Sequence, residues 1–406
     1  MPVPSRPRDR AFASDVVIIG GCGHVGLPLG IALADRGLRT LLYDVSEANV
    51  KLVNDGVLPF SEDGAGKLLE RVTADGSLSA STDPAVVADA EHVVVVIGTP
   101  VDEHLNPDPR AIPNALGLCS EHFTDGQIII LRSTVYPGVT ALVEDMVTSL
   151  GRDIDVAFCP ERIAEGRAMT ELYTLPQLVA SRTSRGSERA ARLFSTLTDD
   201  IVHLAPEEAE LAKLFTNTWR YIKFATANQL YMMANDFDLD YERIRAALAH
   251  NYPRAADLPG AGFAAGPCLF KDTMQLAAFN NNNFTLGHAA MLVNEGLPLY
   301  LVARLEERYD LRQMTVAILG MAFKANSDDI RSSLSYKLKR ILEFKAGHLL
   351  CTDPHVTVDP NLVALETALD DADLLIVAAP HAEYQDLQTD KPVADIWNIL
   401  GEGVRV

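Results

Sequence analysis

Basic residues are in short supply in this sequence. Its 35 Lys and Arg face 55 Asp and Glu, a formal net charge of −20. That balance excludes general binding to nucleic acid or to an anionic membrane surface, both of which need a basic face. An anionic small substrate would have to be met by a local cluster of Lys and Arg. Long apolar runs are also missing: nothing reaches the roughly 18 residues of a membrane span. The opening "MPVPSRPRDRAFAS" is rich in Pro and Arg without the apolar stretch of a signal peptide. The five cysteines (Cys22, Cys119, Cys159, Cys268, Cys351) are odd in number and scattered, with no CxxC or CxxH spacing. Neither a disulfide framework nor a zinc site is indicated. The expectation is a cytoplasmic protein of a reducing compartment, with no metal and a flexible tail over residues 1–14.

What is present is ordinary globular material, 48% hydrophobic and 22% charged over 406 residues, long enough for about two or three domains. From Asp15 the text "DVVIIGGCGHVGLPLGIALADRGLRTLLYDVS" runs through a β-branched segment, a Gly-rich turn, a helical stretch and a second apolar segment ending in Asp44. This is a βαβ unit. "HVVVVIGTP" (92–100), "QIIILRSTVYPG" (127–138), "DIDVAFCPER" (153–162) and "LPQLVAS" (175–181) continue it. Their unbroken apolarity fits strands of a parallel sheet covered on both faces.

After His203 the texture changes. Residues 206–250 have helical periodicity, no glycine, and acids in the first turn behind Pro206. This predicts one long helix and a shorter one, with an exposed face suited to a subunit interface. At Thr315 the first pattern returns, pairing Gly20 with Gly320, Asp44 with Asp353 and Pro100 with Pro380. The fold class is therefore α/β: two Rossmann-like, doubly wound parallel-sheet domains joined by a long central helix. The expected boundaries are 15–203, a helical dimerisation domain over 204–308, and a C-terminal α/β domain over 309–406, with the site in the cleft between the lobes.

"GCGHVG" matches GxGxxG between strand and helix, with His24 and Val25 inside the motif. Gly21 allows the tight turn, Gly23 the approach of a pyrophosphate, and Gly26 the packing of helix on strand. Asp44 is placed to accept from a ribose 2′-OH and would repel a 2′-phosphate, which favours NAD over NADP; FAD shares the motif. Thr99 and Thr134 end neighbouring strands, either as site lining or as hydrogen-bonded strand ends.

Lys213 and Asn217 stand at i and i+4 on the long helix, suited to stabilising an oxyanion, or else simply solvated. Glu161 and Glu165 in "CPERIAEG" read as base and water-positioning groups or as loop acids. Cys268 follows a Gly/Pro turn in "GPCLFKD", where a nucleophile finds approach and a fixed backbone. Lys271 could favour its thiolate, and Asp272 opposes this.

With "GCGHVG", "GTP", "STVYPG", "PERIAEG", "KLFTN", "GPCLFKD" and "FKANSDDIRSS" in this order, the chain from Val16 onward resembles the nucleotide-sugar 6-dehydrogenases, the family of UDP-glucose, GDP-mannose and UDP-N-acetylhexosamine dehydrogenases. The resemblance implies a four-electron oxidation of a nucleotide-diphosphate hexose (UDP-glucose, dTDP-glucose or UDP-N-acetylhexosamine type) with NAD, through a thiohemiacetal and a thioester on Cys268, in a homodimer. It implies that Lys213 and Asn217 hold the oxyanion and that Glu161 serves acid/base and hydrolytic steps. Asp272 and Thr134 would support Lys213 and the water. It also implies cofactor contacts from His24, Val25, Glu165 and Arg331, and substrate contacts from Arg162, Phe263, Gly266, Phe323 and Lys324. Arg254 in "NYPR" resembles an arginine that reaches a partner subunit's substrate. The chain departs from the family pattern at Ala265-Gly266, where two glycines are usual, and in the "PER" and "IGTP" spellings, so the hexose and the base stay open. Two other readings stand beside this one: a β-hydroxyacid dehydrogenase making one hydride transfer, and a non-catalytic NAD-binding scaffold.

Overall fold

The computed structural model describes residues 12–99 and 101–403. Most of the expected tail, and Pro100 of the repeat, lie outside the described residues. The chain divides into two compact units, 1–213 and 214–406.

The first unit runs β1 (Ser14–Ile19), α1 (Gly26–Asp35), β2 (Thr40–Tyr43), α2 (Glu47–Asn54), α3 (Ala65–Ala74), β3 (Leu78–Ser81) and β4 (Ala90–Val95). It continues with α4 (Ala111–Gly117), β5 (Ile128–Leu131), α5 (Val139–Ser149), β6 (Asp155–Phe158), α6 (Ala168–Thr174), β7 (Gln177–Ala180), α7 (Ser184–Phe194) and β8 (Ile201–Leu204). The strands form one sheet in the order β3-β2-β1-β4-β5-β6-β7-β8. Apolarity is continuous because each face has its own core. Val16 and Ile18 of β1 join Leu42, Val94, Ile128 and Ile130 on one side. Val17 and Ile19 join Val93, Val95, Ile129 and Leu131 on the other. Alternate side chains of one strand thus point into opposite cores, and neither set can be polar.

One part of the sheet departs from expectation. β7 runs antiparallel to β6, meeting it at Phe158 and Ala180, and β8 is parallel to β7. An antiparallel neighbour starts at the end where the previous strand stops. Residues 159–176 therefore stay at the carboxyl edge of β6, and Glu161, Arg162 and Glu165 stay there with them.

α8 (Pro206–Asp236) is a single helix. Pro206 supplies a preset φ at its start, Glu207 and Glu208 face its positive end, and the Glu208 carboxylate accepts from the Ala205 amide at 2.8 Å. The second unit holds the rest of α8, then α9 (Tyr241–Ala249), α10 (Leu269–Phe279), α11 (Thr285–Arg308), β9 (Thr315–Leu319), α12 (Leu334–Leu342), β10 (His348–Thr352), α13 (Leu365–Asp371), β11 (Leu374–Val377) and β12 (Val393–Asp395). Its parallel sheet has the order β10-β9-β11-β12. One core takes Leu297, Leu301 and Leu305 of α11 together with Val316, Ile318, Leu338 and Ile376, so the helical segment and the C-terminal sheet are packed as one body. Ala317 and Leu319 face a second core. Among the described residues no helix is long and apolar enough to cross a membrane.

The repeat is physical. Gly20 and Gly320 both take positive φ, 77° and 94°, and each is followed by an amide that donates to the carboxylate ending the next strand. Asp44 accepts from Cys22 at 3.0 Å; Asp353 accepts from Met321 at 2.6 Å and Ala322 at 2.9 Å. Asp353 also takes the amides of His355 and Val356 and faces His381 Nε2 at 3.0 Å. Burial works against its charge, but the His381 hydrogen bond and the surrounding amides outweigh burial and hold its pKa down to about 2. Asp353→Asn should cost about 3 kcal/mol of unfolding free energy at neutral pH, read from denaturant melts. The folded-state pKa lies below the unfolded one, so this contribution is complete above about pH 4 and is lost as pH falls through about 2. Wild type and variant should converge in acid; an undiminished gap there contradicts this account.

Candidate functional site

In the first unit the candidate residues gather where the strands end. Of the motif glycines, Gly23 has only open space beside it, with no atom closer than 3.8 Å to the position of a Cβ, as a backbone that must meet a phosphate requires. A Cβ on Gly26 would strike Gly20 and Gly21, so helix and turn are packed backbone to backbone. The strained turn expected of Gly21 belongs instead to Gly20, which carries the positive φ; Gly21 is held by close contact with Leu42. Val25 is the N-cap of α1 and makes no side-chain cap; the Leu27 amide donates to the Gly23 carbonyl at 3.0 Å and Pro28 has no N–H. Asp44 accepts from Cys22 and, at 3.0 Å, from Ser46, which fixes the carboxylate's direction. These features fit a dinucleotide. His24 stacks on Phe60 with ring centroids 4.1 Å apart, and its Nδ1 lies 3.8 Å from Glu165. The Thr99 hydroxyl donates to the Thr134 carbonyl at 2.6 Å, joining the two strand-end threonines.

Glu161 is buried and heavily engaged. Arg132 reaches its Oε2 with Nε at 2.9 Å and Nη2 at 2.5 Å. The amides of Arg162 and Ile163 donate to Oε1 at 2.7 and 3.0 Å. A carboxylate offers about four acceptor positions, so a free base is not what this arrangement presents; Glu161 anchors the start of its loop. The sequence reading missed Arg132, whose fully buried side chain also donates to Cys159 O and Gln177 Oε1 and lies over Phe194. The only signal was a cation at the end of the apolar run "QIIILRST". The Arg162 guanidinium bonds the Pro176 carbonyl, which ties that expected substrate contact to the start of β7. Glu62, also missed, accepts from the amides of Gly166 and Ala168, both at 2.8 Å, and so fixes the far end of the same loop.

Lys213 and Asn217 are one turn apart on α8 and both buried. In the second unit Asn217 Nδ2 donates to Asp272 Oδ2 at 2.6 Å, and Lys271 Nζ lies 2.9 Å from Asp272 Oδ1. Lys271 is thus paired with Asp272, the carboxylate that Asn217 also holds. Cys268 is the N-cap of α10 and the one exposed cysteine of the five. Its carbonyl accepts from the Asp272 amide at 2.9 Å, so sulfur and carboxylate are separated by a single turn, at the positive end of the helix.

Gly266 has φ 101°, and a Cβ on it would lie 2.6 Å from the Phe323 ring. Ala265 has no positive φ, so the loss of the usual glycine there is harmless. Lys324 Nζ sits 5.4 Å from the Phe323 centroid. Of three other expected contacts, one is buried. Phe263 is only 4% exposed and packs in the core with Tyr231 and Leu297, because its backbone follows a buried path; its side chain is not open to substrate. Arg331 is chelated by Asp329, with Nε at 2.9 and 2.8 Å from the two oxygens. Arg254 is exposed and rests 5.5 Å above the Tyr252 ring. His355, His381 and Glu383 have the proximity of metal ligands, but the Nδ1 of His381 accepts from the Asn326 amide and its Nε2 faces Asp353, each at 3.0 Å. That ring is committed.

The chain matches three family models. They are described as the NAD binding domain (residues 14–198), the central domain (207–296) and the UDP binding domain (317–402) of the UDP-glucose/GDP-mannose dehydrogenase family. A UDP-N-acetyl-D-mannosamine dehydrogenase from Yersinia pestis is 28% identical, covering 96% of this chain and 99% of its own. An NDP-N-acetyl-D-galactosaminuronic acid dehydrogenase from Ralstonia nicotianae is 26% identical, with 94% and 95% covered. A solved UDP-glucose dehydrogenase from Pyrobaculum islandicum superposes with a TM-score of 0.90 at 25% identity over 99% of each chain.

The thiols differ enough to be told apart chemically. Burial, with Asp44 adding to it, pushes Cys22 up to about 12; burial pushes Cys159 to about 12 against Arg132 and Cys351 to about 11, and raises Cys119. Iodoacetamide at about pH 7.5 should alkylate Cys268 alone in the native protein. All five cysteines should react after denaturation. Peptide mass mapping reads this, and a native Cys268 no faster than the buried four contradicts it.

Proposed function

The chain belongs to the UDP-glucose/GDP-mannose dehydrogenase family, and from that premise we propose that it oxidises the C6 alcohol of a nucleotide-diphosphate hexose to the acid through a sulfur-bound intermediate. It is an NAD-dependent oxidoreductase whose substrate is a nucleotide sugar. The observation that carries the finer reading is Cys268: exposed, at the start of α10, one turn before an Asp272 bonded to Asn217.

Bound NAD supplies the hydride acceptor for each of the two oxidations. Lys213 and Asn217 donate to the C6 oxygen and favour the negative charge that develops there. The Cys268 sulfur adds to the aldehyde carbon; an S–C bond forms and the carbonyl π pair moves to oxygen. Loss of the second hydride from that carbon leaves a thioester. Water then adds, the S–C bond breaks, and the acid departs with the thiol regenerated. Thr134 and Glu161 are assigned to the water, and Glu161 can accept its proton only by releasing one of its present donors. Tethering prevents escape of the half-oxidised carbon. A single-hydride hydroxyacid dehydrogenase would leave the exposed thiol without work.

Among hexoses the 2-acetamido class is favoured, because the Yersinia pestis and Ralstonia nicotianae relatives are both named for acetamido sugars. A thiol that must stay reduced fits the cytoplasm. A second copy is assigned to α8, which exposes Phe215, Trp219, Leu230 and Met233 along its length, with Phe237 exposed just past its end. Phe215 and Trp219 are an i, i+4 pair, each more than half exposed, and such a stripe is stable in water only when covered. Arg254 is then available to the other copy's substrate.

With NAD and UDP-N-acetylmannosamine, UDP-N-acetylgalactosamine or UDP-glucose, one substrate should yield two NADH per acid formed, measured by absorbance and product mass. One NADH with free aldehyde overturns the proposal. Cys268→Ser should lose at least about a thousandfold in acid formation, whereas undiminished acid production removes the sulfur from the mechanism.

Trp219→Asp combined with Met233→Asp should convert the protein from dimer to monomer in sedimentation equilibrium; an unchanged mass places the interface elsewhere.

A further inference from the structure

The loop that carries Cys268 is pinned at a residue before the cysteine in the chain, Gly262. Gly262 donates its amide to Asn228 Oδ1 at 2.9 Å, and its carbonyl accepts from Asn228 Nδ2 at 3.0 Å. One side-chain amide thus reads both backbone groups of one glycine, as a neighbouring strand would. Asn228 is braced in turn: Nδ2 also donates to Asn294 Oδ1 at 3.0 Å, and Asn294 Nδ2 donates to Tyr221 O at 3.1 Å. Asn228 and Asn294 are 1% and 0% exposed. The chain links α8, α11 and the loop through two side-chain amides.

Such a network is a costly way to fill space. Buried amides are tolerated only when satisfied, and an apolar pair would pack there with less to lose. What the amides add is direction. Gly262 has φ 148°, and a Cβ on it would overlap the Trp397 ring, so the backbone is held from the other side as well. Phe263 and Ala264 are buried. Gly266 then meets Phe323, and its amide donates to Ser332 O at 3.3 Å. The segment is thus held at both ends, and Pro267 and Cys268 follow at once.

We propose that Asn228, braced by Asn294, is a positioning residue that aims the Cys268 sulfur by fixing the peptide at Gly262. This rests on the reading of Cys268 as nucleophile, but one readout does not.

The test is Asn228→Asp, which keeps size and the acceptor for the Gly262 amide while turning an oxygen toward the Gly262 carbonyl and Asn294 Oδ1. Asn294→Ala, which removes only the brace, is the second variant should the first not fold. Two quantities are measured on the full chain well below its melting temperature. One is the iodoacetamide rate at Cys268, which requires no substrate. The other is kcat and KM for NAD-linked oxidation, per site titrated by alkylation. The expected result is a change of at least about fivefold in the alkylation rate. A fall in kcat of roughly tenfold to a hundredfold should accompany it, with KM for NAD within about twofold, since the cofactor motif lies in the other unit. A folded variant with wild-type alkylation and kcat overturns the proposal, and so does a lower melting temperature with both rates unchanged. An altered alkylation rate in a protein whose Cys268→Ser variant stays active would keep the clamp and remove the nucleophile reading.

Discussion

A carboxylate at the end of one strand, accepting from the amides of the glycine turn that ends its neighbour, is the interaction on which both α/β halves are built. It sets where the turn stops and the following segment begins. In the first half the bond is sparing: Asp44 takes Cys22 and Ser46, Gly23 stays open, and α1 begins without a side-chain cap. In the second half it is exhaustive: Asp353 takes Met321, Ala322, His355 and Val356 and faces a fully buried His381. The Phe323 amide donates to Asp329 O and the Asn326 amide to that histidine. A pyrophosphate needs unspent amides. The two halves therefore share a turn but not a ligand mode, and the dinucleotide belongs to the first.

The same contrast governs the cysteines. Four are buried and their thiols are pushed upward by loss of solvent, as suits small apolar side chains that fill a core. Cys268 is kept out by its backbone. Two glycines, at 262 and 266, let the chain pass aromatic rings that any Cβ would strike, and the helix it caps starts immediately afterwards. Exposure, direction and the positive end of α10 arise together from one short path.

Much of this was legible in sequence because it follows from period and from small residues. The strands β1, β4 and β5 announce themselves by consecutive apolar residues, and the structure gives the reason: alternate side chains enter different cores. The long helix was bounded by Pro206 and its acids. The reversal of β7 was not legible, because strand direction depends on which end the connection leaves from, and 159–176 carries no mark of that. Gly20 and Gly21 were indistinguishable as letters; only φ separates them. Phe263 was misplaced because a motif neighbour of the nucleophile was taken for lining, whereas the path that aims Cys268 buries Phe263. Arg132, Asn228 and Asn294 act across long separations in the chain, and no local spacing reports such partners.

The buried polar groups are not evenly spread, and their distribution bears on how the molecule works. Asn217 with Asp272, Asn228 with Gly262 and Asn294, and Arg132 with Glu161 and Gln177 each occupy positions where hydrocarbon would be the cheaper filling. Hydrocarbon packing tolerates small slips, since its energy depends on area. A buried amide or carboxylate does not, because a shift of a few tenths of an ångström leaves a donor unpaired in a medium without water. Reactions that depend on sub-ångström placement of sulfur and oxyanion donors gain from the second kind of contact. α8 carries two such anchors, Asn217 and Asn228, at different turns of one rigid rod. The first is tied to the helix that begins at Cys268 and the second to the loop that delivers it, so the sulfur is referenced to α8 from both sides.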